Sequence, residues 1–351
     1  MKILFGTFDW GLGHATRDIP LIAALLQEHE VHLLSTGRAL TLLKAHFGER
    51  CIYHDVPSVG APYTRTRLFK LRFSMLIPRM VRELHQARRL SEGIIRDGFD
   101  KVISDCRYDV YDRPDNSYLI NHQLRFKTPP GTEWIVEKWL ASWMERYRNV
   151  LVPDYEEMGL TGILSHDLRY VPPEKVKYIG ILSSLRKRDL VQDIDCFISL
   201  SGPEPQRTVL ERYVLSQVQR LQGRVVIAGG KPEVTTQTRS SNIEYYGFLD
   251  RTHQEDIMNR AKFIIARSGY STIMDLIELN KIQVLLVPTP GQTEQEYLAD
   301  HCERHNYFHH VSQYKLRLSE ACEHPANGTG FTAPWTTQES VARFLKVIYS
   351  S

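Results

Sequence analysis

Phe263-Ile264-Ile265-Ala266-Arg267-Ser268-Gly269-Tyr270-Ser271-Thr272-Ile273-Met274-Asp275-Leu276 reads as a buried strand, a Ser-Gly turn and the opening turns of a helix. In a parallel sheet such a turn lies at the carboxyl end of its strand, where ligands bind, and the helix N-terminus beyond it offers unpaired N–H groups to an anion. Gly269 permits close backbone approach, and Ser271 and Thr272 add hydroxyl donors. Asp275, one turn further on, is suited to accept from a diol. The same residue types would also cap a helix and complement its dipole with no ligand present. The next strand favours the ligand: it runs out through Leu286-Val287-Pro288-Thr289-Pro290-Gly291-Gln292-Thr293-Glu294-Gln295, a second polar loop and helix start, with Glu294 and Gln295 facing the same crevice.

Outward from this segment, short apolar strands alternate with helical periodicity, the pattern of βαβ units and parallel sheets. The C-terminal half shows strands at 195–200, 224–228, 243–246, 263–266 and 284–287. The N-terminal half shows them at 2–5, 30–34, 101–104, 117–120 and 149–152, with a helix after the first and a Trp-rich helix at 133–147. At 351 residues the chain exceeds one typical core of roughly 100–150 residues. The expected architecture is α/β: two doubly wound, Rossmann-like domains facing a central cleft. Prolines and the charge run Arg186-Lys187-Arg188 place the boundary, giving domains at 1–182 and 183–331, with a C-terminal segment 332–351 whose helix crosses back onto the first domain.

Composition excludes several classes. Hydrophobic residues make up 42% and charged residues 24%, with no apolar run long enough to span a membrane. The start lacks the longer apolar region of a signal peptide, so a cytoplasmic protein is expected. Five cysteines without a Cys-x-x-Cys pair suggest neither a disulfide framework nor structural zinc. A net charge of +3 does not imply nucleic acid, but residues 64–90 concentrate Arg65, Arg67, Lys70, Arg72, Arg79, Arg82, Arg88 and Arg89 against Glu83. With no clean amphipathic period through Pro78, this stretch reads either as a solvated basic face or as a peripheral membrane contact. Trp134, Trp139 and Trp143 read as core and groove residues.

The opening loop Gly6-Thr7-Phe8-Asp9-Trp10-Gly11-Leu12-Gly13-His14-Ala15-Thr16-Arg17 joins the first strand to the first helix. Gly11-Leu12-Gly13 is followed by His14 without the third glycine of a dinucleotide fingerprint, and the second strand ends Leu33-Leu34-Ser35-Thr36 without a ribose-binding acid, which argues against nicotinamide. His14 at the top of the sheet could take a proton from a hydroxyl, or could simply be a capping residue. Asp105 and His122 stand at other strand ends, able to orient an acceptor or to assist His14, and explained nearly as well by loop polarity.

Taken together, these segments resemble the GT-B glycosyltransferases. They resemble in particular the branch containing the bacterial enzyme that adds N-acetylglucosamine, from its UDP form, to the lipid-linked peptidoglycan precursor. That branch has a Ser-Gly turn, an acidic residue six positions after the Gly that holds the donor ribose, and a Glu-Gln or Gln-Gln pair nineteen positions later. Gly269, Asp275 and Glu294-Gln295 match, with Asp where Glu is usual. Phe248-Leu249-Asp250 resembles the turn that reads the nucleobase edge. Ser201-Gly202 resembles the loop on the diphosphate, and Arg267 and Ser268 join the donor set. Gly11-x-Gly13-His14-x-x-Arg17 resembles the branch's N-terminal signature, shared with a UDP-sugar hydrolase.

The resemblance implies a hexosyltransferase-like enzyme that is inverting and independent of metal and cofactor. His14 would be the general base, the donor a UDP-sugar, and Gly11, Gly13, Arg17, Asp105 and His122 would lie on the side of the acceptor, which is lipid-linked in that branch. Hydrolysis of UDP-sugars, or nucleotide-sugar binding without turnover, are the alternative readings. Asp193-Ile194-Asp195 spells Asp-x-Asp, a metal-holding pattern in other glycosyltransferases, but it precedes a strand and is read as a solvated turn.

Overall fold

The computed structural model describes residues 1–60, 69–126, 131–231, 233–234, 236–325 and 328–350, and for 69–77 the backbone alone. The chain divides into two compact units, Met1–Ser184 with Pro334–Ser351, and Leu185–Ala333.

The first unit carries β1 (Lys2–Thr7), α1 (Gly13–Leu25), β2 (Glu30–Ser35), α2 (Gly37–Phe47), β3 (Ile52–Asp55), α3 (Phe69–Ile95), β4 (Lys101–Asp105), β5 (Ser117–Ile120), α4 (Glu133–Met144), β6 (Asn149–Val152) and β7 (Val176–Tyr178). Its sheet order is β3-β2-β1-β4-β5-β6-β7, with every pair parallel. The order reverses at β1, so the carboxyl ends of β1 and β4 form the topological switch point where α/β sheets bind ligands. Register pairs Thr7 with Asp105 across that edge. The central strands are apolar on both faces because helices cover both, as the full burial of Ile3, Leu4 and Phe5 shows.

The second unit carries β8 (Ile194–Ser199), α5 (Gln206–Gln217), β9 (Val225–Ala228), β10 (Gln237–Ser240), β11 (Ile243–Tyr246), α6 (Arg251–Arg260), β12 (Ala261–Ala266), α7 (Tyr270–Glu278), β13 (Val284–Leu286), α8 (Thr293–Arg304), β14 (His309–His310) and α9 (Leu318–Glu323). Its order is β10-β11-β9-β8-β12-β13-β14, and β10 alone runs antiparallel. Here the switch point lies between β8 and β12.

The C-terminal helix α10 (Thr337–Tyr349) belongs to the first unit. Thr336 and Glu339 form a reciprocal capping box at its start, a device worth about 1 kcal/mol. Tyr155 donates to the Trp335 carbonyl at 2.8 Å, and the Trp335 indole donates to the Ile179 carbonyl at 3.2 Å. Gly180 sits against that indole with φ +88, where a Cβ would lie 2.1 Å from Trp335 Nε1, so only glycine fits.

Residues 69–95, to which the sequence pattern assigns no element, form one long helix that runs through Pro78, because an imino residue within a helix this long costs one hydrogen bond rather than the helix. Arg65 and Arg67 of the basic stretch lie outside the described residues, as do the side chains of Lys70 and Arg72. Arg79, Arg82 and Arg89 are exposed on α3. Trp134 and Trp139 are not core residues: they are 49% and 52% exposed on the outer face of α4, whose inner face buries Leu140, Ala141 and Met144.

Candidate functional site

At the switch point of the first unit, α1 begins directly beneath the loop that follows β1. His14 and Arg17, three residues apart on that helix, project from one face toward Asp105 at the end of β4. The Nδ1 of His14 lies 2.8 Å from Asp105 Oδ2, and Arg17 Nε donates to the same oxygen at 3.0 Å. Arg17 Nη2 donates to Asp105 Oδ1, completing a bidentate pair. Asp105 is fully buried and Arg17 is 3% exposed. Burial alone would raise the Asp105 carboxyl; the adjacent Arg17 and His14 overcome it and hold the group well below the usual carboxylate range, while the same pairing drives the Arg17 guanidinium upward.

An ionised Asp105 only accepts, so His14 carries its proton on Nδ1 and presents an Nε2 lone pair. Burial lowers the His14 pKa below its ordinary 6.5, opposed by Asp105. The imidazole is therefore neutral at physiological pH, as a general base requires. Phe8 meets it edge-on at 5.3 Å, and Trp10 Nε1, donating to the Val59 carbonyl at 2.6 Å, fixes the loop above.

His122, at the end of β5, faces Arg17 Nη1 across 3.0 Å. Arginine never accepts, so Nδ1 of His122 is the acceptor and its proton resides on Nε2. Beneath them Asp18 receives a hydrogen bond from Thr7 at 2.8 Å, while its Oδ1 has no hydrogen-bond partner among the described residues. Burial and the nearby Asp105 raise its carboxyl pKa well above the usual range. Ligand atoms of His14, Asp105 and Cys106 come within 4.8 Å of one another. Both Asp105 oxygens are engaged by Arg17 and His14, and burial pushes the Cys106 thiol up, so this donor set suits a proton network better than a cation. Gly11, at φ +95, and Gly13, the first residue of α1, shape the loop.

In the second unit, the loops after β8, β12 and β13 and the N-terminus of α7 meet at one sheet edge. Ser268 is buried and donates to the Gln295 carbonyl at 2.8 Å, while Gln295 Oε1 accepts from the Thr289 N–H at 2.9 Å. These bonds tie the two turns together, leaving the backbone of Gly269, Ser271 and Thr272 at the α7 terminus, with half-buried Ser271, Thr272, Glu294 and Gln295 around it. A Cβ placed on Gly269 would be 3.9 Å from both Gln295 Nε2 and Thr272 Oγ1, so these groups share one small space. Leu249 is buried and Phe248 half-buried before α6, whose N-cap Asp250 accepts from the His253 N–H at 2.8 Å.

The structure adds partners that the sequence did not reveal. Asp275 is held bidentately by Arg251, with both contacts at 3.0 Å, so the carboxylate read as a diol acceptor sits in an ion pair. Arg267 is 1% exposed and directs its N–H groups inward, to Gln313 among others, rather than toward solvent. Ser201 and Gly202 follow β8, with Gly202 at φ +102. Asp193 and Asp195 lie at the opposite, amino end of β8, in ion pairs with Arg224, Arg260 and Lys262.

Known proteins can be compared with this geometry. Residues 1–105 match the sequence family described as Glycosyl transferase family 1, and residues 206–331 match the Glycosyltransferase family 28 C-terminal domain. No curated protein matches. Among solved structures, the glycosyltransferase of kitacinnamycin aligns with a TM-score of 0.64 at 12% identity over 99% of this chain and 95% of that one. MurG of Acinetobacter baumannii aligns at 0.54 and 12% over 99% and 100%, and the glycosyltransferase VinC in complex with dTDP at 0.55 and 13% over 100% and 96%. At such identities the likeness establishes the fold, two Rossmann-like domains of GT-B type.

Proposed function

We propose that this chain, a glycosyltransferase of GT-B architecture, transfers a sugar from a UDP-linked donor to an acceptor hydroxyl in a single inverting displacement without a metal ion. The observation that carries the reading is the His14–Asp105 hydrogen bond of 2.8 Å, which leaves a neutral imidazole with a free basic nitrogen at a sheet switch point. His14 takes the acceptor proton as its oxygen attacks the anomeric carbon, and Asp105 stabilises the imidazolium that forms. Arg17 holds Asp105 in place, and His122, protonated on Nε2, donates to the acceptor. Gly11 and Gly13 let the acceptor approach the backbone.

The departing nucleoside diphosphate is held by the second unit. Ser201-Gly202 and the N–H groups at Gly269, Ser271 and Thr272 receive the diphosphate, Glu294 and Gln295 the sugar, and the backbone at Phe248-Leu249 the base. Asp275, the carboxylate expected at the ribose, is engaged by Arg251 and contributes little to holding it. On the acceptor side, the exposed Arg79, Arg82 and Arg89 of α3 suit an anionic lipid-linked acceptor or membrane surface. No helix among the described residues is long and apolar enough to cross a membrane, so such an association would be peripheral.

A thermal-shift panel of nucleoside diphosphates and nucleotide sugars tests the donor half, because a ligand that binds only the native state raises the midpoint with its affinity. UDP and UDP-sugars should raise it most. Rapid stoichiometric release of free sugar from a UDP-sugar without acceptor would replace transfer by hydrolysis.

A further inference from the structure

The side chain of Arg267 has five N–H donors, and each meets a neutral acceptor. Nε donates to the Ser201 carbonyl at 3.3 Å. Nη1 donates to the carbonyls of Val287 and Pro288 at 3.1 and 3.2 Å. Nη2 donates to the Gln206 carbonyl at 3.0 Å and to Gln313 Oε1 at 2.9 Å. Gln313, fully buried, in turn donates to Gln206 Oε1 at 2.8 Å. Among the described residues no carboxylate is bonded to the guanidinium.

A buried charge is costly unless paired, and proteins usually pair it, as Arg17 is paired here. Arg267 is instead solvated by dipoles: its hydrogen-bonding capacity is filled and its charge is left uncancelled. Burial lowers its pKa to about 10, so it remains a cation at neutral pH. The charge lies directly under the loop after β8. A Cβ on Gly202 would be 3.7 Å from Arg267 Nε and 3.2 Å from the hydroxyl of Thr289, which is 1% exposed and has no hydrogen-bond partner among the described residues.

We propose that Arg267 is a positioning and electrostatic residue that makes the Ser201-Gly202 loop selective for a diphosphate: it ties three strand ends together and supplies a fixed positive charge beneath the loop without touching the ligand. This rests on the donor reading above and goes beyond it, since Arg267 becomes the counter-charge to the bound donor and to the leaving group rather than a contact. A fixed cation in a low-dielectric setting favours a dianion over a neutral nucleoside, and it favours the diphosphate most as the glycosidic bond breaks and charge accumulates on the leaving oxygen.

Gln313→Glu tests this directly, because it puts a carboxylate on Arg267 in nearly the same shape and cancels the charge while keeping the Nη2 hydrogen bond. The affinity for UDP should fall about tenfold or more, on the scale of close charge couplings, while affinity for uridine stays unchanged. Thr289→Val, which keeps side-chain shape, is the second variant and should weaken UDP but not uridine by a smaller factor. In the wild type, inorganic pyrophosphate should compete with UDP. Equal loss of UDP and uridine binding in both variants would reduce Arg267 to a structural tie, and an unchanged UDP-to-uridine ratio in folded Gln313→Glu would overturn the proposal. Wild-type protein that binds pyrophosphate but not UDP would overturn the donor reading and leave the charge seat standing; binding of neither would remove both.

Discussion

Arg17 and Arg267 are the same residue type, 3% and 1% exposed, each at the carboxyl edge of a seven-stranded sheet, and their surroundings are opposite. Arg17 faces a carboxylate in a bidentate pair, so the edge around His14 is close to electrically neutral. Arg267 faces only carbonyls and an amide, so the guanidinium beneath Gly202 has no carboxylate bonded to it among the described residues. A neutral edge suits proton transfer, where the base must be free to gain charge; a positive edge suits holding an anion. The two halves share a fold and differ in charge balance, and that difference supports the proposal that the chemistry belongs to one and the donor to the other.

The comparison breaks most sharply at His14. His14→Ala should reduce turnover by about 10²–10⁴-fold, the span of general-base contributions, while the thermal shift given by UDP stays as in the wild type. Wild-type turnover in that variant would remove the neutral edge from the mechanism. Asp105→Asn comes next: it removes the carboxylate bonded to Arg17, and breaking a buried pair of this kind costs about 3–5 kcal/mol, read as a fall in the denaturant midpoint. Loss of less than about 1 kcal/mol would show that Arg17 tolerates isolation as Arg267 does, erasing the contrast.

Much of this was legible beforehand, and the remainder has a common physical reason. The strand-turn-helix segments at 263–276 and 2–17 revealed themselves because apolar runs, glycines and capping residues are local signals. His14 and Arg17 fall on one helix face by spacing alone. Asp105 as the partner of His14 depended on β1 and β4 being neighbours, which periodicity does not encode. The partners that alter the chemistry are distant in sequence: Arg251 from Asp275 by 24 residues and Gln313 from Arg267 by 46. Arg267 read as a ligand contact because a strand-end arginine beside a Ser-Gly turn carries no sign of which way its side chain folds. The helix at 69–95 was hidden by Pro78 and by dense charge on its solvent side, and the short edge strands β3, β7, β10 and β14 offer too few residues for a period to show.

A finer test lies in the second unit. With both Asp275 oxygens engaged by Arg251, the wild type should bind UDP and its 2′-deoxy counterpart with similar affinity. Arg251→Gln releases the carboxylate toward the ribose and should open a preference for UDP of about three- to tenfold, the value of one hydrogen bond. Equal binding in both proteins would show that the ribose is read elsewhere.

The smallest effect separates the two edges by pH. Burial sets the folded His14 pKa below 6.5, the value expected in the unfolded chain. As pH falls through 6.5 the unfolded state takes up its proton first, so this group contributes full stability above that pH and loses it progressively down to the lowered folded pKa. Turnover follows the neutral imidazole and should therefore hold constant down to about 6.5, with its acid limb below that value. Arg267, at about 10, does not titrate in this range, and the diphosphate of a nucleotide sugar has no ionisation there either. Affinity for the UDP-sugar should consequently stay flat between about pH 6 and 8 while kcat declines at the acid end. An acid limb in affinity with none in kcat would place the titrating group on the donor side and take the base role from His14.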